Sequence, residues 1–64
     1  MTAIEYNIEY QPRHDADWHR CSEQFTTVEG ASATASSLRL VDPTMPVRVI
    51  KRTVKIVVSE EIVE

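Results

Sequence analysis

The sequence predicts a small α+β domain of β-β-α-β order, with one helix packed on one face of a three-stranded antiparallel sheet of strand order 2-1-3. Three observations carry that prediction. Residues 3–11 alternate apolar and polar groups, and residues 28–41 place apolar groups at helical spacing. Residues 46–58 then concentrate β-branched side chains, with no glycine and no proline after Pro46.

In the first strand, Ile4, Tyr6, Ile8 and Tyr10 fall on one face, and Ala3, Glu5, Asn7 and Glu9 on the other. A period of two marks a half-buried strand, so Glu5 and Glu9 are expected on the face away from the helix. Pro12-Arg-His-Asp-Ala-Asp17 ends it, because proline removes a ladder donor and aspartate bonds readily to nearby backbone. Trp18–Phe25 reads as the second strand. Cys21 and Phe25 share a face with His19 and Glu23, whereas Trp18 has the opposite parity. A bulge between Trp18 and Cys21 would bring all three apolar groups inside, and the four aromatics Tyr6, Tyr10, Trp18 and Phe25 are expected near one core.

Thr26-Thr-Val-Glu29 has the spacing of a capping box, with Thr26 as the cap. The helix follows over Val28–Val41, with Val28, Ala31, Ala35 and Leu38 on its buried stripe and Ser32 and Val41 at the margins. Gly30 and the serines lower its helix propensity, so packing must hold it. Asp42-Pro43 stops it, since proline disfavours helical geometry in the residue before it. Thr44-Met-Pro46 connects to a strand running from Val47 to Val58, longer than the first strand can pair, with an apolar tail reaching Ile62. The expected core contains Ile4, Tyr6, Ile8, Phe25, Ala35 and Leu38.

With 64 residues the chain is read as one domain, residues 1–64, with a thin core that self-association would help. A net charge of −3 opposes general binding to nucleic acid or to an anionic membrane. The average hides a gradient. Residues 1–45 hold seven acids against three cations, whereas residues 46–64 hold Arg48, Lys51, Arg52 and Lys55 against Glu60, Glu61 and Glu64. Cross-strand pairing of the arginines with Glu5 and Glu9 would absorb that basic strand within the fold. Cys21 is the only cysteine, which suits a reducing compartment. No apolar run approaches the length of a spanning helix, and Met1–Tyr6 lacks the pattern of a signal peptide, so a cytoplasmic protein is expected.

His14, Asp15, Asp17, His19 and Cys21 are metal-ligand types, but zinc sites use repeated Cys and His spacings that are missing here. A solvated turn is the simpler reading, and no metal or other cofactor is expected. Cys21 and His19 share a strand face about 7 Å apart at the backbone, too far for a ready nucleophile pair. With a single glycine there is no phosphate loop. No catalytic residue is assigned, and the chain is not expected to be an enzyme.

Two partner surfaces remain. Arg48, Lys51, Arg52 and Lys55 would suit nucleic acid, although their charge is split between both faces of the strand and no aromatic interleaves them. Ile56, Val58 and Ile62 leave an apolar strand end that invites a second chain, unless it frays or wraps over its own domain. These seven residues are the partner-binding candidates, and a homodimer is the expectation.

The set Tyr6-x-Ile8-x-Tyr10, Trp18 with Cys21 and Phe25, Thr26-Thr-Val-Glu29, Val47-Arg-Val-Ile-Lys-Arg-Thr53 and the ending Glu60-Glu-Ile-Val-Glu64 resembles small proteins of actinobacterial phages and their hosts. That resemblance implies a phage accessory or host-directed protein that binds another protein, acting in the host cytoplasm. It transfers no catalytic residue. The expectation is a non-catalytic protein-interaction module that self-associates through its C-terminal strand, with a small nucleic-acid-binding regulator as the alternative.

Overall fold

The computed structural model describes residues 2–55 and 57–64. Its elements are β1 (Ala3–Tyr10), β2 (His19–Phe25), α1 (Val28–Val41), β3 (Val47–Val54) and β4 (Val58–Ile62). All strand pairs are antiparallel, in the order β2-β1-β3-β4. The α+β class and the central position of β1 are as the sequence predicts, but the sheet has four strands rather than three.

The extra strand comes from the long β-branched run. All eight residues of β1 are paired with β3, from Ala3 opposite Val54 to Tyr10 opposite Val47. Beyond Val54 the run has no strand left to pair with on that side. Backbone groups that leave water need partners, and β3 has a second edge free. The chain therefore turns after Lys55, whose N–H donates to the Val57 carbonyl at 3.2 Å, and folds back along that edge from Val54 opposite Val58 to Ile50 opposite Ile62. Ile56 lies outside the described residues.

The helix covers the face that carries Tyr6, Ile8, Val47 and Val49. Ile8, Ala31, Ala35 and Val49 are fully buried there, with Tyr6, Cys21, Phe25 and Leu38 packed around them. Two alanines at the contact let helix and sheet approach closely. Ile4 departs from expectation and is 44% exposed. The helix starts three residues after Phe25, the cross-strand partner of Tyr6, so Ile4 lies beyond its first turn. Glu5 and Glu9 lie on the uncovered face, as the alternation requires.

The bulge on β2 is not where the sequence reading put it. Asn7 pairs with Gln24 and Glu9 with Arg20, so Ile8 alone stands opposite Cys21, Ser22 and Glu23. Two extra residues preserve parity, which keeps both Cys21 and Phe25 on the helix face. No bulge intervenes between Trp18 and Cys21 to reverse Trp18, and its ring lies under the Arg48 guanidinium, 4.0 Å from the ring centroid. The aromatics therefore do not gather in one core. Tyr6 and Phe25 pack beneath the helix, and Tyr10 stacks on His19 with ring centroids 5.7 Å apart.

The helix cap also shifts by one residue. Thr27, not Thr26, is extended and accepts a hydrogen bond from the Gly30 N–H at 3.2 Å. With Thr27 as cap, the third helical position is Gly30, and no capping box with Glu29 forms. Glu29 still favours the first turn through the helix dipole. Gly30 has a packing reason: a Cβ there would stand 3.2 Å from the capping Thr27 oxygen and 3.5 Å from Phe25. At the other end, the Asp42 carboxylate accepts from both the N–H and the hydroxyl of Thr44, closing the turn into Pro46.

Candidate interaction surface

The uncovered face of the sheet is held by charge. Strand parity places Glu5, Asn7 and Glu9 of β1 beside Arg48, Ile50 and Arg52 of β3. Arg52 meets Glu5 at 3.1 Å, and Arg48 meets Glu9 at 2.7 Å. Arg20 of β2 binds Glu9 at 2.9 Å and also reaches Glu60 of β4 at 2.8 Å. One guanidinium thus straps the two edge strands together across the face. Beneath that strap Asn7 and Ile50 are buried to 1% and 4% exposure, although no helix covers them. The Asn7 amide nitrogen finds no acceptor among the described residues.

Glu9 anchors this network. Burial would push its carboxyl up, but hydrogen bonds from Arg48 and Arg20, with their positive charge, hold it below the usual carboxylate value. Arg20 responds in kind: burial alone would lower it, whereas its bonds to Glu9 and Glu60 raise it.

The partner-binding candidates separate into two groups. Arg48, Lys51 and Arg52 are engaged within the fold, Lys51 with Glu61 at 3.8 Å on the helix side of β4. Lys55 is exposed in the turn and forms no ion pair among the described residues. Val58 and Ile62 lie on β4, all of whose residues are exposed, and Ile56 falls outside the described residues. No strand among the described residues pairs the outer edge of β4. Val57, Val58, Ile62 and Val63 leave large apolar surface along it.

That edge is pinned rather than frayed. The Val63 N–H donates to the Val49 carbonyl at 2.8 Å, and the Val49 N–H donates to the Glu64 carbonyl at 3.2 Å. The Glu64 side chain accepts from the Ser32 hydroxyl and pairs with Arg39 at 2.8 Å. Those two bonds hold the Glu64 carboxyl below its ordinary value. Sequence reading missed both Arg20 as the strap and Glu64 as the clasp. Each joins residues remote along the chain, and no local spacing announces such a pair.

The remaining chemistry-bearing residues disperse. Asp15 accepts from the Asp17 N–H at 2.9 Å and contacts His19 Nε2 at 2.5 Å. Both bonds lower the Asp15 carboxyl, the one from the Asp17 backbone most. No three of the His, Cys, Asp and Glu residues converge as a metal set among the described residues. Cys21 lines a shallow groove of about 190 Å3 with Ile8, Phe25, Thr34 and Leu38. Burial, and then the charge of Glu23, pushes its thiol up and away from the reactive thiolate. Leu40 and Val41 end the helix at 82% and 84% exposure, so Val41 stands outside the stripe rather than at its margin. No helix of the described residues is long and apolar enough to cross a membrane. The chain matches no family model, and no curated protein or solved structure matches it at a significant level.

Proposed function

We propose that this chain is a non-catalytic protein-interaction module that self-associates through its C-terminal strand. In line with the resemblance drawn from its motifs, it would serve as a phage-type accessory protein that binds a host or phage protein in the host cytoplasm. The observation that carries the reading is β4, a pinned edge strand with an open outer side and exposed Val58 and Ile62. Unpaired backbone on a strand edge is a template for another strand, and apolar side chains beside it add affinity once water is excluded.

Charge favours this reading over nucleic-acid binding. Among the described residues, five of the seven Lys and Arg side chains are in ion pairs: Arg20, Arg39, Arg48, Lys51 and Arg52. The other two, Arg13 and Lys55, lie beyond opposite ends of β1 and β3, so they cannot form one patch. A phosphate backbone needs several free cations on one surface.

Sedimentation velocity at about 100 μM, ~100 times a micromolar dissociation constant, tests the proposal directly. The unaltered chain should sediment as a dimer, and a Val58→Thr, Ile62→Thr variant should move toward monomer while keeping its circular dichroism. A monomeric unaltered chain at that concentration overturns self-association. Nuclease treatment of a lysate pulldown tests the other class, because loss of every partner on digestion would favour nucleic acid.

A further inference from the structure

The segment that forms β4 reads nearly the same in either direction. Laid antiparallel against a copy of itself and centred on Glu60, it sets Val57 against Val63, Val58 against Ile62 and Ser59 against Glu61. A two-fold contact requires such self-complementarity, since each residue pair occurs twice about the axis.

The backbone restricts the axis, and the side chains then select it. Lys55 bonds to Val57 and Val63 bonds to Val49, so the odd-numbered residues of this segment turn their N–H and C=O groups inward to β3. Bonded and non-bonded positions alternate along an antiparallel strand, which leaves Val58, Glu60 and Ile62 pointing outward. An axis midway between two residues would oppose inward groups to outward ones and form no ladder. An axis at Ser59 sets Val58 against Glu60 and Val57 against Glu61. An axis at Glu61 sets Ile62 against Glu60 and Val58 against Glu64. An axis at Glu60 matches apolar with apolar at Val57, Val58, Ile62 and Val63, all of which have exposed surface to cover.

Charge does not oppose that arrangement. Each acid on this edge is already held by a cation of its own domain: Glu60 by Arg20 at 2.8 Å, Glu61 by Lys51 at 3.8 Å and Glu64 by Arg39 at 2.8 Å. The like-charge pair set directly opposite is Glu60 with Glu60 of the second copy, and each brings its own Arg20. The helix contacts β1, β2 and β3 but not β4, so it leaves the approach to the outer edge clear.

We propose that two copies join their β4 strands antiparallel about a two-fold axis at Glu60, extending the two sheets into one. This register rests on the self-association proposed above. Isotope-mixed NMR on equal parts of labelled and unlabelled chain tests it without any substitution. Val58 and Ile62 of one strand stand about 13 Å apart, too far for a direct methyl contact, so a cross-peak between them reports the second copy. Intermolecular Val58–Ile62 and Val57–Val63 peaks are the expected result. A dimer whose intermolecular peaks involve Leu40 and Val41, or pair Val58 with Glu60, overturns the register and leaves self-association standing. A monomer at about 100 μM removes both. A second test reads the axis through charge. Glu60→Lys should weaken its own homodimer, and mixed with the unaltered chain it should form heterodimer beyond the statistical proportion, because Lys then meets Glu across the axis. A purely statistical mixture by native mass spectrometry overturns an axis at Glu60.

Discussion

Asn7 gives the sharpest test of how the uncovered face is built. Its side chain is 1% exposed and its amide nitrogen has no acceptor among the described residues. Leaving a buried donor unpaired costs about 1–3 kcal/mol, a large share of the ~3–10 kcal/mol expected for a domain this small. Valine at this position removes the donor and suits a strand opposite Ile50. Asn7→Val should therefore stabilise the fold by about 1–2 kcal/mol, which at ~4–8 °C per kcal/mol is a rise of several degrees in melting temperature. Asn7→Thr has nearly the shape of valine with one hydroxyl, so the difference between the two variants isolates the polar cost. Urea denaturation with unchanged slope measures both. A valine variant less stable than the unaltered chain by 1 kcal/mol or more would refute the reasoning, because the amide must then be making bonds that valine loses.

Four further outcomes follow from the ion pairs, the thiol and the open edge. Arg48→Gln with Arg52→Gln should cost about 1–2 kcal/mol in urea melts, since each loses a partly exposed pair and Arg48 also loses its contact with Trp18. Glu9 and Glu64 are held below their ordinary values when folded, so their contribution is full above the unfolded carboxylate range, shrinks as pH falls below it and is gone once pH passes the lowered folded values. Stability should hold from pH ~7 to ~5 and decline below pH ~4.5, with a shallower acid limb in Glu9→Gln. Cys21, with its thiol pushed up by burial and by Glu23, should react with iodoacetamide at neutral pH more slowly than a free small thiol; equal rates would contradict its packing. If the dimer forms, the melting temperature should rise by a few degrees per tenfold increase in protein, as mass action requires, and a flat curve would count against association.

The parts of the fold that were legible are those that local pattern decides. Alternation places Ile8 and Glu9 on opposite faces of β1 without reference to any other segment, and helical spacing does the same for Ala31 and Ala35. The cap was less legible because two threonines stand side by side. Thr26 has Glu29 at the right distance, but Thr27 is the residue that is extended and accepts from the Gly30 N–H, and the spacing of the local motif does not decide between the two. The β3–β4 turn carries no Gly, Asn, Asp or Pro between Val54 and Val58, so nothing in its chemistry announces a turn. Only the count of strand partners does, and that count depends on where β1 ends.

The candidate surface follows from the same shortage of partners. Among the described residues the buried hydrophobic set is Ile8, Ala31, Ala35, Val49 and Ile50, two of them alanines. Against its three large members stand seven exposed ones among the described residues: Ile4, Leu40, Val41, Val57, Val58, Ile62 and Val63. Single exposed aliphatics are ordinary on any surface. Four of these seven, however, belong to the β4 segment, beside open backbone donors and acceptors whose neighbouring acids are already neutralised. A sheet that ends in such an edge has its largest remaining gain in another strand. The basic run that dominates the sequence therefore bears on partners less through its charge, most of which Glu5, Glu9 and Glu61 take up, than through the length that forces it to fold back and become an edge.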